Sequence, residues 1–284
     1  MRPPIIFMGM HRSGTSMLGR LLEGLGLFTG AKQDANSEAF FFQRLNKWLM
    51  AQCGARWDMP GALRYLLENE ELMAWIDDYL RCLLNSTQVI EFIGLRRYVA
   101  MSRNSRLQVP WGWKDPRNTF TLPIWLRIFP EAKVIYTERH GVDVAQSLRV
   151  RSRSEFANAT RKYQRYRPFV SLRPKREGFV ESPRCSTLEG GFSLWQEYVN
   201  QAKDIMHQLP RRRLLKLRYE NLLEDPFTQL RTSAEFCGLN VSDKMIESRA
   251  AGIDASRAYA YRNDPELCEL SLKHQIALAD RDYK

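Results

Sequence analysis

Near the start of the chain, Gly9-Met10-His11-Arg12-Ser13-Gly14-Thr15-Ser16 combines two glycines, an arginine and three hydroxyl side chains. Glycines at this spacing let backbone N–H groups converge on phosphate oxygens. A helix starting just after them adds the positive end of its dipole. The chemistry this suits is the grip of a phosphate or a similar anion. A magnesium-dependent kinase or GTPase carries Lys after the second glycine. Here Thr15 stands in that place, and the cation comes earlier, as Arg12. Such an enzyme also holds its metal with an Asp at a later strand end. The clearest later strand ends in Thr137-Glu138-Arg139 instead. The loop is built for a phosphate but not for Mg-NTP chemistry.

A second anion grip follows that strand. Arg139 comes directly after it, and Ser147 lies eight residues on, in the next helix. In a parallel sheet both fall near the carboxyl edge, where open α/β sheets bind ligands. Arg takes a phosphate bidentately and Ser adds a donor. With the loop at 9–16 this makes two separate grips, as a nucleotide phosphorylated at both its 5′ and 3′ positions requires.

These residues resemble PAPS-dependent sulfotransferases (PAPS is 3′-phosphoadenosine 5′-phosphosulfate), in particular the bacterial branch related to the glycan and tyrosylprotein enzymes. Arg12-Ser13-Gly14-Thr15-Ser16 is similar to the family's 5′-phosphosulfate loop, and ERHGVDVAQS, from Arg139 to Ser147, to its 3′-phosphate motif. LRYENLLEDP (217–226) resembles the segment after a late strand, and WGWKDPR (111–117) a strand common in bacterial members. The resemblance implies that Arg12, Ser13, Gly14, Thr15 and Ser16 hold the 5′-phosphosulfate and that Arg139 and Ser147 hold the 3′-phosphate. It puts Tyr219 near the adenine. The family's C-terminal GxxGxxK loop is absent, and Arg257 and Arg262 are the nearest stand-ins.

The implied reaction is an in-line displacement needing no metal, with Arg12 stabilising the charge that grows on the leaving nucleotide, the bisphosphate PAP. A base must take the acceptor's proton. The histidine that cytosolic members place two residues after a strand lysine is missing, since the matching stretch reads Lys114-Asp115-Pro116. Glycan-type members use the glutamate of a Glu-x-x-Phe-Phe segment, and Glu38-Ala39-Phe40-Phe41-Phe42 matches it. Glu38 and Asp115 are the candidate bases, with Lys114 placed to neutralise the sulfuryl oxygens. A glutamate at a helix N-terminus and a lysine at a strand end also have ordinary structural readings.

The elements that position these residues follow from hydrophobic periodicity. IIFMGM (5–10), VPWGWKD (109–115), AKVIYTER (132–139) and RLLKLRYE (213–220) read as strands. Helical patterns run over 16–27, 38–52, 62–84, 119–129, 141–150, 187–208 and 226–239. Strands alternating with helices predict an α/β fold, a P-loop-type parallel sheet flanked by helices on both faces. Residues 149–176 break the pattern with ten Lys/Arg against one acid, Glu155, and read as a basic loop or lid inserted at about 149–186. With no repeat and no Gly/Ser linker, residues 1–284 are expected to form a single domain.

The 284 residues are 44% hydrophobic, enough for a sizeable core, and the net charge of +11 favours an anionic partner. Five scattered cysteines without a CxxC pair suggest neither a zinc site nor a disulfide framework, and a reducing cytoplasm fits. No apolar run is long enough for a membrane span. The acceptor class stays open among small molecule, lipid and glycan; nucleic acid is not expected, and oligomeric state is not legible. The rival readings are a small-molecule phosphotransferase on the same scaffold and a non-enzymatic polyanion-binding module.

Overall fold

A computed structural model of the chain describes residues 2–104, 109–172 and 178–283. Two compact units emerge, each assembled from separated stretches of chain. The first comprises Met1–Arg139 and Tyr198–Ala258, the second His140–Glu197 and Tyr259–Lys284.

The first unit carries a four-stranded parallel sheet: β1 (Ile5–Gly9), β2 (Gly112–Lys114), β3 (Lys133–Glu138) and β4 (Leu214–Arg218), in the order β2-β1-β3-β4. Every residue of β1 is buried, as expected of a strand covered on both faces. Ile5, Phe7, Ile135 and Leu217 pack with Leu18 and Leu22 of helix α1 (Thr15–Gly24). Aromatic contacts build further core: Phe42 of helix α2 (Phe40–Ala51) stacks on Trp113 at 3.9 Å, and Trp113 meets Trp125 edge-on at 5.2 Å. The predicted fold class is the observed one.

Register places the functional edge. Phe7 pairs with Lys114, Gly9 with Thr137, and Glu138 with Arg218. The ends of all four strands therefore lie at one carboxyl edge, which carries the loop after β1, Lys114 and Arg139.

Two predicted elements are shorter than the sequence suggested. β2 spans only Gly112–Lys114, because Pro110 brings no N–H to the ladder and Asp115 turns the chain by accepting the Arg117 N–H at 2.9 Å. The helical pattern over 62–84 divides at Asn69, whose side chain accepts from the Leu72 N–H and starts a new helix, Glu70–Leu84.

In the second unit, helix Gly141–Tyr166 runs far past the expected end at residue 150. Residues 149–166, expected within a basic loop, are thus helical; residues 173–176 of that stretch lie outside the described residues. The cations do not break the helix, and two of them find acidic partners within it or beyond it. Arg149 forks onto Glu266 at 2.6 and 2.8 Å, Arg151 pairs with Glu155 one turn on at 2.7 Å, and Arg151 also pairs with Glu181. Gly141 begins the helix where a Cβ would lie 2.7 Å from the Trp195 ring. No helix among the described residues is long and apolar enough to cross a membrane.

Candidate active site

The loop after β1 is held in a conformation that only some residues adopt. Gly9 and Gly14 have φ of 144° and 88°. A Cβ on Gly9 would sit 2.3 Å from the Thr137 carbonyl, and one on Gly14 2.3 Å from Cδ2 of Tyr219. Arg12 takes φ 69°, left-handed backbone that costs a side-chain-bearing residue about 1–2 kcal/mol. Ser13 is buried, and its hydroxyl donates to the Met10 carbonyl at 2.6 Å, closing the loop on itself. His11 packs against Trp57, ring centroids 4.5 Å apart.

Helix α1 then starts at Thr15 with Gly14 as its N-cap, no side chain capping it, and no acid in the first turn. Its leading N–H groups have no intrahelical acceptor, and the helix itself places no acidic side chain in that turn. Thr15 is buried and Ser16 half-buried behind this turn. Arg12, exposed, adds positive charge on the same loop.

Arg139 leaves β3 toward the same loop. Its Nη1 donates to the Arg12 carbonyl at 3.4 Å, and its guanidinium carbon lies 4.6 Å from the centre of the Tyr219 ring. The tyrosine edge fills the space beside Gly14 that a Cβ would need. Arg12, Gly14, Arg139 and Tyr219 therefore form one connected group. Arg257 is exposed on a short turn, Ala255–Arg257, in the same unit. Ser147 and Arg262 belong to the second unit. Ser147 is half-buried on helix Gly141–Tyr166, and Arg262 lies 4.5 Å over the Tyr259 ring.

On the other side of β1, the end of β2 carries a buried charge cluster. Lys114 Nζ donates to Glu38 Oε1 at 3.1 Å, and Arg117 Nη1 to Glu38 Oε2 at 3.3 Å. The same Nη1 lies 3.1 Å from Asp115 Oδ1. Gln43 Nε2 adds a hydrogen bond to Glu38 Oε2 at 2.9 Å and another to Asp34. Asn46 Nδ2 donates to Asp115 Oδ2 at 2.9 Å. All four charged groups are at most 6% exposed, and two cations balance two carboxylates. Burial without such pairing would be prohibitive.

The two carboxylates differ in character. Burial opposes ionisation of Glu38, yet the charges of Lys114 and Arg117 and the Gln43 hydrogen bond outweigh it and hold Glu38 below its ordinary pKa. Asp115 is more deeply buried. Desolvation pushes it above its ordinary value, Glu38's charge adds to the rise, and Arg117 and Asn46 offset only part. Burial alone would lower Arg117, but Asp115 and Glu38 together raise it.

Sequence reasoning missed three members of this region. Arg117 ends the WGWKDPR run, where the sequence alone assigns it no role. Thr119 accepts from the Gly9 N–H at 3.0 Å, tying the anion loop to the cluster's segment. Asn46 is a buried hub: besides Asp115 it donates to Asn118 and accepts from Thr121 and Trp125. No local signal marks Asn46 or Thr119, since their partners are remote in sequence.

This arrangement can hold an anion at the loop and move a proton at a buried carboxylate beside it. Known structures share the architecture. The sulfotransferase domain of the Synechococcus PCC 7002 olefin synthase superposes with a TM-score of 0.55 at 18% identity, covering 100% of this chain and 95% of that one. The sulfotransferase domain from the curacin biosynthetic pathway gives a TM-score of 0.52 at 17% identity, covering 99% and 98%. No curated protein sequence matches the chain. The model of the sulfotransferase family matches residues 3–243, and this chain belongs to that family.

Proposed function

We propose that the protein transfers the sulfuryl group of PAPS to a hydroxyl or amine acceptor. The observation that carries this reading is the contact between the two anion grips: Arg139, after β3, reaches the backbone of the loop that carries Arg12. A doubly phosphorylated adenosine suits two cations joined at one strand edge. The loop fits a phosphosulfate on its own terms, through its crowded positive-φ glycines and a helix start free of acids.

PAPS supplies a sulfuryl group already attached to a good leaving phosphate. In this reading Arg12 and the first turn of α1, with Thr15 and Ser16, bind the 5′-phosphosulfate, and Ser13 keeps the loop closed. Arg139 binds the 3′-phosphate, and Tyr219 positions Arg139 and lies along the adenine. The resemblance alone assigns Ser147 to the 3′-phosphate, and Arg257 and Arg262 are stand-ins for a family motif that the sequence lacks. Glu38, ionised by its cation partners, takes the proton of the acceptor. The acceptor's oxygen or nitrogen bonds to sulfur as the bond from sulfur to the phosphate oxygen breaks, and that electron pair stays on PAP. Lys114 steadies the sulfuryl oxygens, and no metal enters. The family match over residues 3–243 takes in the 140–197 stretch of the second unit as well as most of the first, which supports one sulfotransferase domain.

The test is thermal unfolding in EDTA. PAP should raise Tm, AMP should raise it far less, and Arg12→Ala and Arg139→Ala should each remove most of the PAP shift. Equal stabilisation by AMP would defeat the two-phosphate reading.

A further inference from the structure

Asp115 and Glu38 both look able to serve as the base when the sequence alone is considered, and the side-chain geometry separates them. Asp115 is spent on structure. Its Oδ1 accepts the Arg117 backbone N–H at 2.9 Å and Arg117 Nη1 at 3.1 Å, and its Oδ2 accepts from Asn46. These bonds shape the turn that leads into helix Asn118–Ile128. Glu38 is held by side chains, two of which come from the strand end beside the anion loop. One nitrogen, Arg117 Nη1, touches both carboxylates.

We propose that Arg117 is the positioning residue of this site: anchored on Asp115, it fixes the Glu38 carboxylate in place and in its charged form, so that Glu38 takes the acceptor proton and Asp115 does not. The proposal rests on the sulfuryl-transfer reading above. The groups around Glu38 account for its state. Lys114 and Arg117 face it from the end of β2 and the turn beyond, and Gln43 faces it from α2. Asp34 meets it through Gln43 and through the Glu38 N–H, which donates to Asp34 Oδ1 at 2.8 Å. The charges of Asp115 and Glu38 act on each other directly, and Asp115 and Tyr198 also face Arg117. Lys114 bonds only one oxygen of Glu38; without Arg117, the other keeps only the neutral Gln43 amide.

Carbon-13 NMR of protein labelled at the Glu side-chain carboxyl, with Glu38→Gln used to assign the Glu38 resonance, reads its titration directly and needs no acceptor. Arg117→Gln should move the Glu38 midpoint up by about one pH unit, the scale expected when one nearby cation is lost. Arg117→Lys, which keeps the charge, should return most of that shift. Where Arg117→Gln does not fold, the double variant Asp115→Asn with Arg117→Gln removes one charge of each sign, and its Glu38 midpoint should lie above that of the single variant Asp115→Asn, which keeps Arg117 and is the reference that cancels the loss of the Asp115 charge. PAPS hydrolysis, with water as acceptor, should fall in Arg117→Gln, while the PAP-induced Tm shift persists. A Glu38 midpoint unmoved in Arg117→Gln relative to wild type, or in the double variant relative to Asp115→Asn, overturns the proposal, as does loss of PAP stabilisation in step with turnover. Failure of the wild-type protein to respond to PAP would instead overturn the donor assignment, whatever Glu38 does.

Discussion

Arg139 donates to the main-chain carbonyl of Arg12 at 3.4 Å, joining two basic residues that stand 127 positions apart in the chain. The contact leaves the Arg12 side chain exposed while Arg139 is pinned between that carbonyl and the Tyr219 ring.

The pinning predicts a specific role for Tyr219. Cation–π contacts contribute about 0.5–2 kcal/mol, so Tyr219→Ala should weaken PAP binding by up to roughly 30-fold. Tyr219→Phe keeps the ring and should bind almost as the wild type does. Calorimetric titration with PAP separates these outcomes; equal loss in both variants would shift the role from the ring to the hydroxyl.

Gly14→Ala should damage the loop through two independent effects. The backbone at φ 88° costs a side-chain-bearing residue about 1–2 kcal/mol, and the new methyl would meet Tyr219 Cδ2 at 2.3 Å. Expected are a lowered Tm and loss of most of the PAP shift. A variant that binds PAP normally would show that the loop tolerates rearrangement.

Glu38→Gln should lower transfer about 10²–10⁴-fold, the usual contribution of a positioned base, while PAP binding stays. It should also alter stability with pH. Glu38 has a folded pKa below its ordinary 4.5, so its stabilising contribution is complete above that value and is lost as pH falls through the lower folded pKa. Urea unfolding of the two proteins should diverge most at neutral pH and converge in acid. Divergence that grows in acid would mean that Glu38 is destabilised in its charged form.

Asn46→Ala should be among the most damaging single changes in the first unit. Asn46 is fully buried, and its removal leaves Asp115, Thr121 and Trp125 each without a partner they now use. A buried polar group losing its bond costs about 1–3 kcal/mol, so a loss of at least about 3 kcal/mol is expected in urea unfolding. A loss under 1 kcal/mol would mean that water replaces the amide.

The strand-loop-helix sequence at residues 5–24 was legible because its signals are local: an apolar run, crowded glycines, then helical periodicity. The strand at 132–139 was legible for the same reason. The charge cluster was only half legible. Glu38, Lys114 and Asp115 could be singled out by type and motif, but Arg117 acquires meaning only when α2 brings Glu38 to it. The full length of helix Gly141–Tyr166 is not legible in the sequence, because a run of arginines reads as solvated loop until a remote acid is known, and Arg149 pairs with Glu266, far along the chain.

The central strand also has a history during synthesis. Gly9 finds Thr119 only 110 residues later, and β1 meets β3 later still. On the ribosome, the apolar run of β1 must wait, exposed, for both neighbouring strands to emerge. With pairing this remote, folding is expected to be slow and to gain from chaperones that shield the nascent strand.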